Sequence, residues 1–341
     1  MERYDIIGRL GEGAHGIVLE AKELKSGKHV ALKKISFRKL EDGIPIAVFR
    51  EIKALQELHH DNIVRLRDVF PHSAGLVLVF NFMLSDLSEL IKDFENPLTL
   101  PLIKAYFQQL LYGLAHMHSL HIMHRDLKPA NLLISEEGIL KIADLGQARL
   151  FFDDEKGSKK EKGKKRERLY SHQVATRWYR APELLYGSRH YNQSVDMWAA
   201  GCILGEMLNN SPVFPGENDI EQLVCVFRLL GTPNEHDWPG MSELPDFNKI
   251  TFPTYPPLAF GQIFPNANQN AVDLASCLLV FDCRKRPTPE QALIHRFFMS
   301  YPLPTRNEDL PRPKRRPPKK PLNLEFDPSL PIEESLGSID F

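Results

Sequence analysis

Long apolar runs and a secretory leader are both missing from the sequence. No apolar stretch reaches the roughly 18–20 residues that a helix needs to span a bilayer. The first residues, MERYDIIGRL, contain no hydrophobic signal region, and Glu2 stands where N-myristoylation would require glycine. We therefore expect an intracellular, soluble protein with no membrane insertion.

Cysteine and net charge are also scarce. The 341 residues include four cysteines, none in a C-x-x-C pair, which favours reduced thiols in a cytosolic or nuclear protein. The formal net charge is −1, so the chain as a whole is not attracted to nucleic acid, and we expect no such partner. An apolar fraction of 43% is typical of a globular protein with one large core or two lobes.

The hydrophobic periodicity changes character near residue 82. Before it, GIVLEAKE and HVALKKI alternate like strands, GLVLVFNF is typical of a buried strand, and AVFREIKALQELHH between them has helical spacing. From PLIKAYFQQLLYGLAHMHSL onward helices prevail, and one face of that segment carries Ile103, Phe107, Leu110, Leu114 and Met117. This order predicts an α+β protein, with a small β-rich part before a larger helical part.

Two segments depart from this pattern. Residues 153–168, DDEKGSKKEKGKKRER, are almost wholly charged and predict a mobile surface loop. The chain from residue 299 to 341 is rich in proline and basic residues, which predicts a disordered tail. Within this tail, KRRPPKK at 314–320 is either a nuclear-localisation patch or a solvated run of charge.

The stretch GEGAHGIV fits G-x-G-x-x-G, with glycines at 11, 13 and 16. In a dinucleotide-binding fold these glycines would open a helix, whereas IVLEAKE alternates here like a strand. The pattern therefore favours a hairpin whose backbone amides cover phosphates, and a plain glycine turn is the alternative.

A lysine, Lys33, lies on the next predicted strand, and Glu51 lies on the helix that follows it. Such a pair would hold an ammonium against phosphate oxygens, although a lone strand lysine is more often solvated.

The strongest motif is MHRDLKPANLLI, in which eight residues from His124 to Asn131 stand in fixed order before an apolar strand. Asp126 can accept a hydroxyl proton, and Lys128 can neutralise a transferring phosphate. Asn131 can supply an oxygen ligand to Mg²⁺. A second ligand is Asp144 in KIADLGQAR, 13 residues further on, although an Asp-x-Gly stretch alone indicates only a turn.

The order of these motifs, followed by Ala-Pro-Glu at 181–183, resembles that of eukaryotic protein kinases. The resemblance runs from about Tyr4 to Phe298 and implies a bilobal α+β fold, with an N-lobe over 4–82 and a C-lobe over 83–298. It further implies ATP and Mg²⁺ as cofactors, catalytic roles for Lys33, Glu51, Asp126 and Lys128, and metal ligation by Asn131 and Asp144. The position of Lys128 is similar to that of the serine/threonine class.

The resemblance also assigns the nucleotide site, with adenine between Ala31 and Leu133 and against the segment from Phe80 to Met83. The nucleotide-binding residues that it implies are Leu10, Gly11, Glu12, Gly13, Ala14, His15, Gly16, Ile17, Val18, Ala31, Lys33, Phe80, Asn81, Phe82, Met83, Asp86 and Leu133. Leu145 stands where kinases usually carry phenylalanine after the metal aspartate. Leucine is also apolar, so we expect this change to cost only about 1 kcal/mol.

Within the kinases, ATRWYRAPELLYG and PIAVFRE resemble the cyclin-dependent kinase group. This resemblance implies that Arg50, Arg125 and Arg149 clamp a phosphate on Ser171, which an upstream activating kinase attaches. The alternative is that these arginines are simply solvated.

The same resemblance implies a cyclin-type activator at the helix over 45–51, and an Arg180 pocket for proline in Ser/Thr-Pro substrates. Because PIAVFRE matches only in part, a kinase acting without any cyclin is an alternative. A catalytically weak pseudokinase scaffold is another, since Leu145 and the charged insert are unusual. A small-molecule phosphotransferase is a third.

We expect the protein in the cytoplasm and the nucleus. A location in the cilium is implied by the resemblance alone.

Overall fold

The computed structural model describes residues 1–13, 16–37, 45–73, 75–151 and 176–313. The strands are β1 (Tyr4–Gly13), β2 (Gly16–Glu23), β3 (His29–Ser36), β4 (Leu66–His72), β5 (Gly75–Asn81), β6 (Ser85–Asp86), β7 (Ile122–Met123), β8 (Leu132–Ile134), β9 (Leu140–Ile142) and β10 (Arg149–Leu150). The α-helices are α1 (Ile46–Glu57), α2 (Leu87–Ile91), α3 (Leu100–Ser119), α4 (Pro182–Leu185), α5 (Ser194–Asn209), α6 (Asp219–Leu230), α7 (Phe260–Ile263), α8 (Gln269–Leu278), α9 (Pro289–Leu293) and α10 (Arg296–Met299). Short 3₁₀ helices cover Pro129–Asn131, Leu145–Gln147, Arg177–Tyr179, Met241–Glu243, Phe247–Lys249, Cys283–Lys285 and Asn307–Asp309.

The N-terminal lobe is an antiparallel sheet with the strand order β1-β2-β3-β5-β4. On β3, Val30 and Leu32 are fully buried, whereas Ala31 and Lys33 are only half-buried. This alternation is the one that HVALKKI predicted, because successive side chains of a strand point to opposite faces. The face that carries Lys33 is the one from which the functional site is built.

Helix α1 joins the two lobes. Its Val48 packs with Leu78 of the sheet, whereas Leu55 and Leu58 belong to the core of the helical lobe. The apolar positions of AVFREIKALQELHH thus face two different partners, and the helix holds Glu51 between them. Glu51 is 2% exposed.

The helical lobe is built around α3 and α5. The five apolar residues predicted for one face of α3 are all at most 5% exposed: Ile103, Phe107, Leu110, Leu114 and Met117. Helix α5 is buried on every side from Ser194 to Met207, as a helix in the centre of a large core must be. These observations confirm the predicted α+β class, with a sheet lobe followed by a helical lobe.

The first part of the predicted tail is packed against the helical lobe, which differs from the expectation of disorder from residue 299. The fully buried Lys104 of α3 donates from Nζ to the carbonyl oxygens of Ser300, at 2.6 Å, and Pro302, at 2.7 Å. Leu310 is 4% exposed and belongs to the core of the same lobe. The backbone is irregular, as its prolines require, but a buried charge and an apolar anchor hold it. Residues 314–341 lie outside the described residues.

None of the helices in the described ranges combines the length and the apolar character that crossing a bilayer requires.

The four cysteines are free thiols, and their surroundings differ. Cys202 is buried in α5, where burial raises the pKa of its thiol, whereas Cys277 is exposed on α8.

Candidate active site

The glycine-rich segment forms the hairpin of β1 and β2, in agreement with the alternation of IVLEAKE. The register pairs Gly11 with Val18 and Gly13 with Gly16. The turn residues 14–15, which the sequence also assigned to the nucleotide, lie outside the described residues. The hairpin therefore presents backbone rather than a helix N-terminus at this edge of the sheet.

Two glycines of this motif have different surroundings. Gly16 has a φ of +135°, and a Cβ at this position would collide with the backbone carbonyl oxygen of Lys34. A Cβ on Gly11 would meet no heavy atom of the described part of the chain within 4 Å. Gly16 is thus required by the packing of β2 on β3, whereas Gly11 borders open space.

Strand pairing brings together the residues predicted to contact adenine. Ala31 of β3 lies opposite Phe80 of β5, and the chain then crosses between the lobes through residues 82–83. On the far side, Asp86 of β6 pairs with Leu133 of β8. The crossing segment is therefore tied at both ends to strands that carry predicted nucleotide contacts.

Asp86 has a local role as well as its predicted contact with the nucleotide. Its Oδ1 accepts the backbone N–H of Glu89 at 3.1 Å and the hydroxyl of Ser88, so it caps the N-terminus of α2. Both bonds fall on Oδ1, so the carboxylate is oriented by the helix that follows it.

Lys33 joins the two lobes by ion pairs. Its Nζ lies 2.6 Å from Oε1 of Glu51 on α1 and 3.3 Å from Oδ1 of Asp144. Burial lowers the pKa of the lysine, but the two carboxylates together raise it above its ordinary value, so the ammonium is retained. The pair that VALKK and FREIKALQEL predicted is thus formed, and Asp144 completes it.

The segment from Asp126 to Asn131 forms a hydrogen-bonded network with Thr176. Nζ of Lys128 lies 3.3 Å from Oδ2 of Asp126 and donates to Oγ1 of Thr176 at 2.9 Å. Asn131 donates from Nδ2 to the backbone carbonyl of Asp126 at 2.8 Å and to its Oδ2 at 3.2 Å. Thr176 was not among the predicted residues, because a lone threonine in ATRWYRAPE has no local pattern that distinguishes it.

The oxygen atoms near Asp144 suit a hard cation. Because Asn131 uses its Nδ2 as a donor toward Asp126, its Oδ1 remains the group for a metal. The side chain of Asp144 is 39% exposed. Within the described residues, no three or more His, Cys, Asp or Glu side chains are placed together so that they could hold a metal ion by themselves. Mg²⁺ does not need such a group, since one or two carboxylates with substrate phosphates and water complete its shell, so these residues fit the ion.

The catalytic segment rests on a buried carboxylate that sequence reasoning missed. Asp196 of α5 accepts the backbone N–H groups of His124 and Arg125, each at 2.8 Å, and lies 2.9 Å from Nε2 of His118. Burial raises the pKa of Asp196, but these hydrogen bonds lower it more, so it is below its ordinary value. The signal was an aspartate inside the otherwise apolar run SVDMWAAGCIL, where a buried carboxylate needs donors.

Leu145 is fully buried and belongs to the same core cluster as Leu55 of α1. The 3₁₀ helix that it begins lies against α1. Asp144 immediately before it has a φ of 59°, in the left-handed region that aspartate tolerates better than most residues. The leucine thus fills an apolar site directly behind the predicted metal ligand.

The three predicted clamp arginines lie on different elements. Arg125 is 3% exposed in the catalytic segment, Arg50 is half-buried on α1, and Arg149 is half-buried on β10. Pairing of β10 with β7 sets Arg149 opposite Met123, two residues before Arg125. Ser171 lies outside the described residues, so the clamp and its phosphoacceptor remain a prediction.

The segment after Thr176 is fixed by ion pairs, of which the one between Glu183 and Arg286 is buried. Arg180 and Arg177 both donate to Oδ1 of Asp219, at 3.0 and 3.1 Å, and burial lowers the pKa of Arg180. Glu183 forms a two-pronged ion pair with Arg286, at 2.6 and 2.8 Å. The bidentate geometry is the strong form of this interaction, and it anchors the Ala-Pro-Glu segment in the helical lobe.

A sheet lobe joined to a helical lobe, with this lysine, aspartate and asparagine set between them, is the arrangement of a protein kinase. A family model described as protein kinase domain matches residues 4–298, so the chain belongs to the protein kinase family.

The comparisons also identify the group of protein kinases to which the chain belongs. Cyclin-dependent kinase 20 of Danio rerio is 54% identical over 342 residues, which cover 98% of this chain and 96% of that protein. Cyclin-dependent kinase 7 of Xenopus laevis is 45% identical over 315 residues, which cover 92% and 86%. A solved chain of the CAK complex of Chaetomium thermophilum, bound to ATP-gamma-S, matches with a TM-score of 0.81 and 36% identity, covering 91% of this chain and 95% of that one. This chain is accordingly a serine/threonine protein kinase of the cyclin-dependent kinase type.

Proposed function

We propose that this kinase transfers the γ-phosphoryl group of ATP to serine or threonine followed by proline, with Asp126 orienting the substrate hydroxyl. The observation that carries the proposal is the network in which Lys128, Asn131 and Thr176 all contact Asp126. A carboxylate held in this way has a defined direction toward an incoming hydroxyl, and orientation accounts for much of the rate in phosphoryl transfer.

Each further residue has a distinct task. Lys33, held by Glu51, orients the α- and β-phosphates, and the backbone of the glycine hairpin covers them. Lys128 neutralises charge that develops on the transferring group. Asn131 and Asp144 would hold Mg²⁺, which supplies charge neutralisation at the phosphate oxygens. The ATP-gamma-S named for the structural neighbour supports the same nucleotide here.

We further propose that phosphate on Ser171 raises activity by engaging Arg50, Arg125 and Arg149. Charge-assisted bonds from several arginines can order a segment around a phosphate. Arg180, fixed by Asp219, shapes the pocket for the proline of the substrate.

An activating partner of the cyclin type would bind at α1. Ile46 and Phe49 of this helix are 65% and 51% exposed, so they offer apolar surface that such a partner would cover. The alternative, a kinase acting without any cyclin, is supported by the Lys33–Glu51 pair, which is already formed in the single chain.

We also infer that the protein resides in the cytoplasm and the nucleus, with residues 314–320 as the nuclear import signal. Unchanged distribution of a fluorescent fusion after deletion of 314–320 would remove that signal from consideration.

The test is phosphate transfer from Mg-ATP to paired Ser-Pro and Ser-Ala peptides by the full chain, with and without candidate cyclins. Asp126→Asn should lower kcat by about 10²–10⁴-fold, because positioned proton acceptors contribute that much. Asp237→Asn, the same change at a side chain that is 51% exposed, should leave it unchanged. Ser171→Ala should lower activity but not abolish it. Wild-type turnover in Asp126→Asn, or equal use of both peptides, would refute the corresponding part of the proposal.

A further inference from the structure

Arg125 is held by two acceptors that are not phosphate. Its Nε donates to the backbone carbonyl of Gln147 at 2.7 Å, and its Nη1 donates to the hydroxyl of Tyr191 at 2.7 Å. Tyr191 lies in the connection between α4 and α5, half-buried against the core of the helical lobe. This tyrosine has no role in the kinase mechanism described above.

We propose that Tyr191 is a positioning residue, which holds Arg125, and through it Asp126, when Ser171 carries no phosphate. The proposal rests on the function proposed above, because that function assigns Arg125 to the phosphate clamp. In the unphosphorylated enzyme, the Tyr191 hydroxyl holds Arg125 as the phosphate would hold it in the phosphorylated enzyme.

The backbone at Arg125 explains why its side chain needs an anchor. Its φ is 70°, in the left-handed region, and a non-glycine residue stays there only when its surroundings hold it. The N–H of Arg125 donates to Oδ1 of Asp196 at 2.8 Å, which fixes the backbone from the side of α5. The side-chain bonds to Gln147 and Tyr191 hold the same residue through its guanidinium. Asp126 is the next residue in the chain. Backbone motion gained at Arg125 therefore also moves the carboxylate of Asp126.

The arrangement is compatible with a later phosphate. A guanidinium has five N–H groups, and the bonds to Gln147 and Tyr191 use one on Nε and one on Nη1. Nη2 can therefore still donate to phosphate oxygens. A phosphate and Tyr191 would hold the same side chain through different atoms, so loss of the hydroxyl should matter most where the phosphate is missing.

The experiment places Tyr191→Phe in two forms of the full chain, one with Ser171→Ala and one with phosphoserine incorporated at position 171. In the Ser171→Ala form, we expect kcat to fall roughly tenfold while KM for ATP stays within about twofold, as for loss of one charge-assisted hydrogen bond. In the phosphoserine form, the fall should be below about twofold. The matched control is Tyr301→Phe, which removes a hydroxyl from a residue that is 86% exposed and should change neither form.

A second readout does not depend on turnover. Amide hydrogen exchange of residues 122–131 should become faster in Tyr191→Phe with Ser171→Ala and return toward wild type with phosphoserine, because the N–H of Arg125 is bonded to Asp196. Unchanged exchange and kcat in the Ser171→Ala form would overturn the proposal, and so would equal losses in both forms. If the Ser171→Ala and phosphoserine chains have equal activity without the Tyr191 change, the proposed activation by phosphate on Ser171 is refuted. The result for Tyr191→Phe in Ser171→Ala then still decides whether this hydroxyl positions Arg125.

Discussion

Thr176 makes two hydrogen bonds to one oxygen of Asp126. Its backbone N–H lies 2.8 Å and its Oγ1 lies 3.1 Å from Oδ1 of the aspartate. The same hydroxyl accepts from Nζ of Lys128. A single side chain thus links the carboxylate and the ammonium that the sequence placed two residues apart, and it does so from a different segment of the chain.

Replacing Thr176 should separate this link from the fold. Thr176→Val keeps the shape and the backbone bond but removes the hydroxyl, so kcat should fall roughly tenfold, the effect of about one charge-assisted hydrogen bond. Thr176→Ser keeps the hydroxyl and should lose much less. Steady-state transfer to a Ser-Pro peptide measures both, and equal activity of the serine and valine variants would contradict the role of the hydroxyl.

Leu145 should be a packing residue as well as a neighbour of the metal ligand. Because its side chain is fully buried, Leu145→Ala should lower the free energy of unfolding by about 2–5 kcal/mol. Leu145→Phe should cost about 1–3 kcal/mol, since the site is packed around leucine. Leu24→Ala, at a residue 63% exposed, is the control. Urea unfolding gives the comparison, and an Ala variant as stable as the control would show that the site is not closely packed.

The docked tail should contribute to stability through Lys104. Burial lowers the pKa of this lysine, and its ammonium is bonded to Ser300 and Pro302. A chain ending at Phe298 should be about 2–5 kcal/mol less stable than one ending at Pro313, because it loses the hydrogen bonds of Lys104 and the burial of Leu310. Lys104→Met should destabilise the longer chain and affect the shorter chain much less. Equal stability of the two chain lengths would show that the tail contributes nothing.

A histidine pair predicts a specific dependence on pH. His60 and His116 stack with ring centroids 5.1 Å apart. Burial lowers the pKa of His60 from its ordinary 6.5, His116 and Lys141 lower it further, and Asp61 opposes them. Above that pH both the folded and the unfolded chain hold His60 neutral. As pH falls through 6.5 the unfolded chain takes up the proton first, so the free energy of unfolding decreases.

His116→Phe keeps a ring in the stack and removes the imidazole that lowers the pKa of His60. The variant should therefore lose less stability than wild type between about pH 7 and pH 5, as measured by urea unfolding at each pH. His236→Phe, at a side chain that is 95% exposed, should follow the wild-type curve. Parallel curves for wild type and His116→Phe would contradict the coupling.

Local patterns were sufficient for the parts of this protein that depend on neighbouring residues. Period-two alternation in HVALKKI and period-3.6 spacing in α3 predicted elements that the structure contains, because burial on one face requires those periods. The ordered motif around Asp126 likewise predicted which charged residues the structure brings together. These patterns are written within a few residues of the chain.

The residues that were missed act across long distances in sequence. Asp196 supports a segment 71 residues earlier, and Thr176 contacts one 50 residues earlier. Neither has a neighbour in sequence that reveals its partner, so only the folded chain shows them. The tail was misjudged for a related reason. Its proline content excludes regular structure but does not exclude packing, and Lys104 lies almost two hundred residues away from the carbonyls that it binds.

The unequal surroundings of Gly11 and Gly16 mean that one motif answers to two different selective demands. An alanine at Gly16 must displace the backbone of the neighbouring strand, so it is excluded whether or not nucleotide is ever bound. An alanine at Gly11 meets no atom of the described residues, so we attribute intolerance there to what the hairpin covers. Drift at Gly11 would therefore be an early mark of a lineage that has stopped using ATP, whereas Gly16 would persist for as long as the sheet folds.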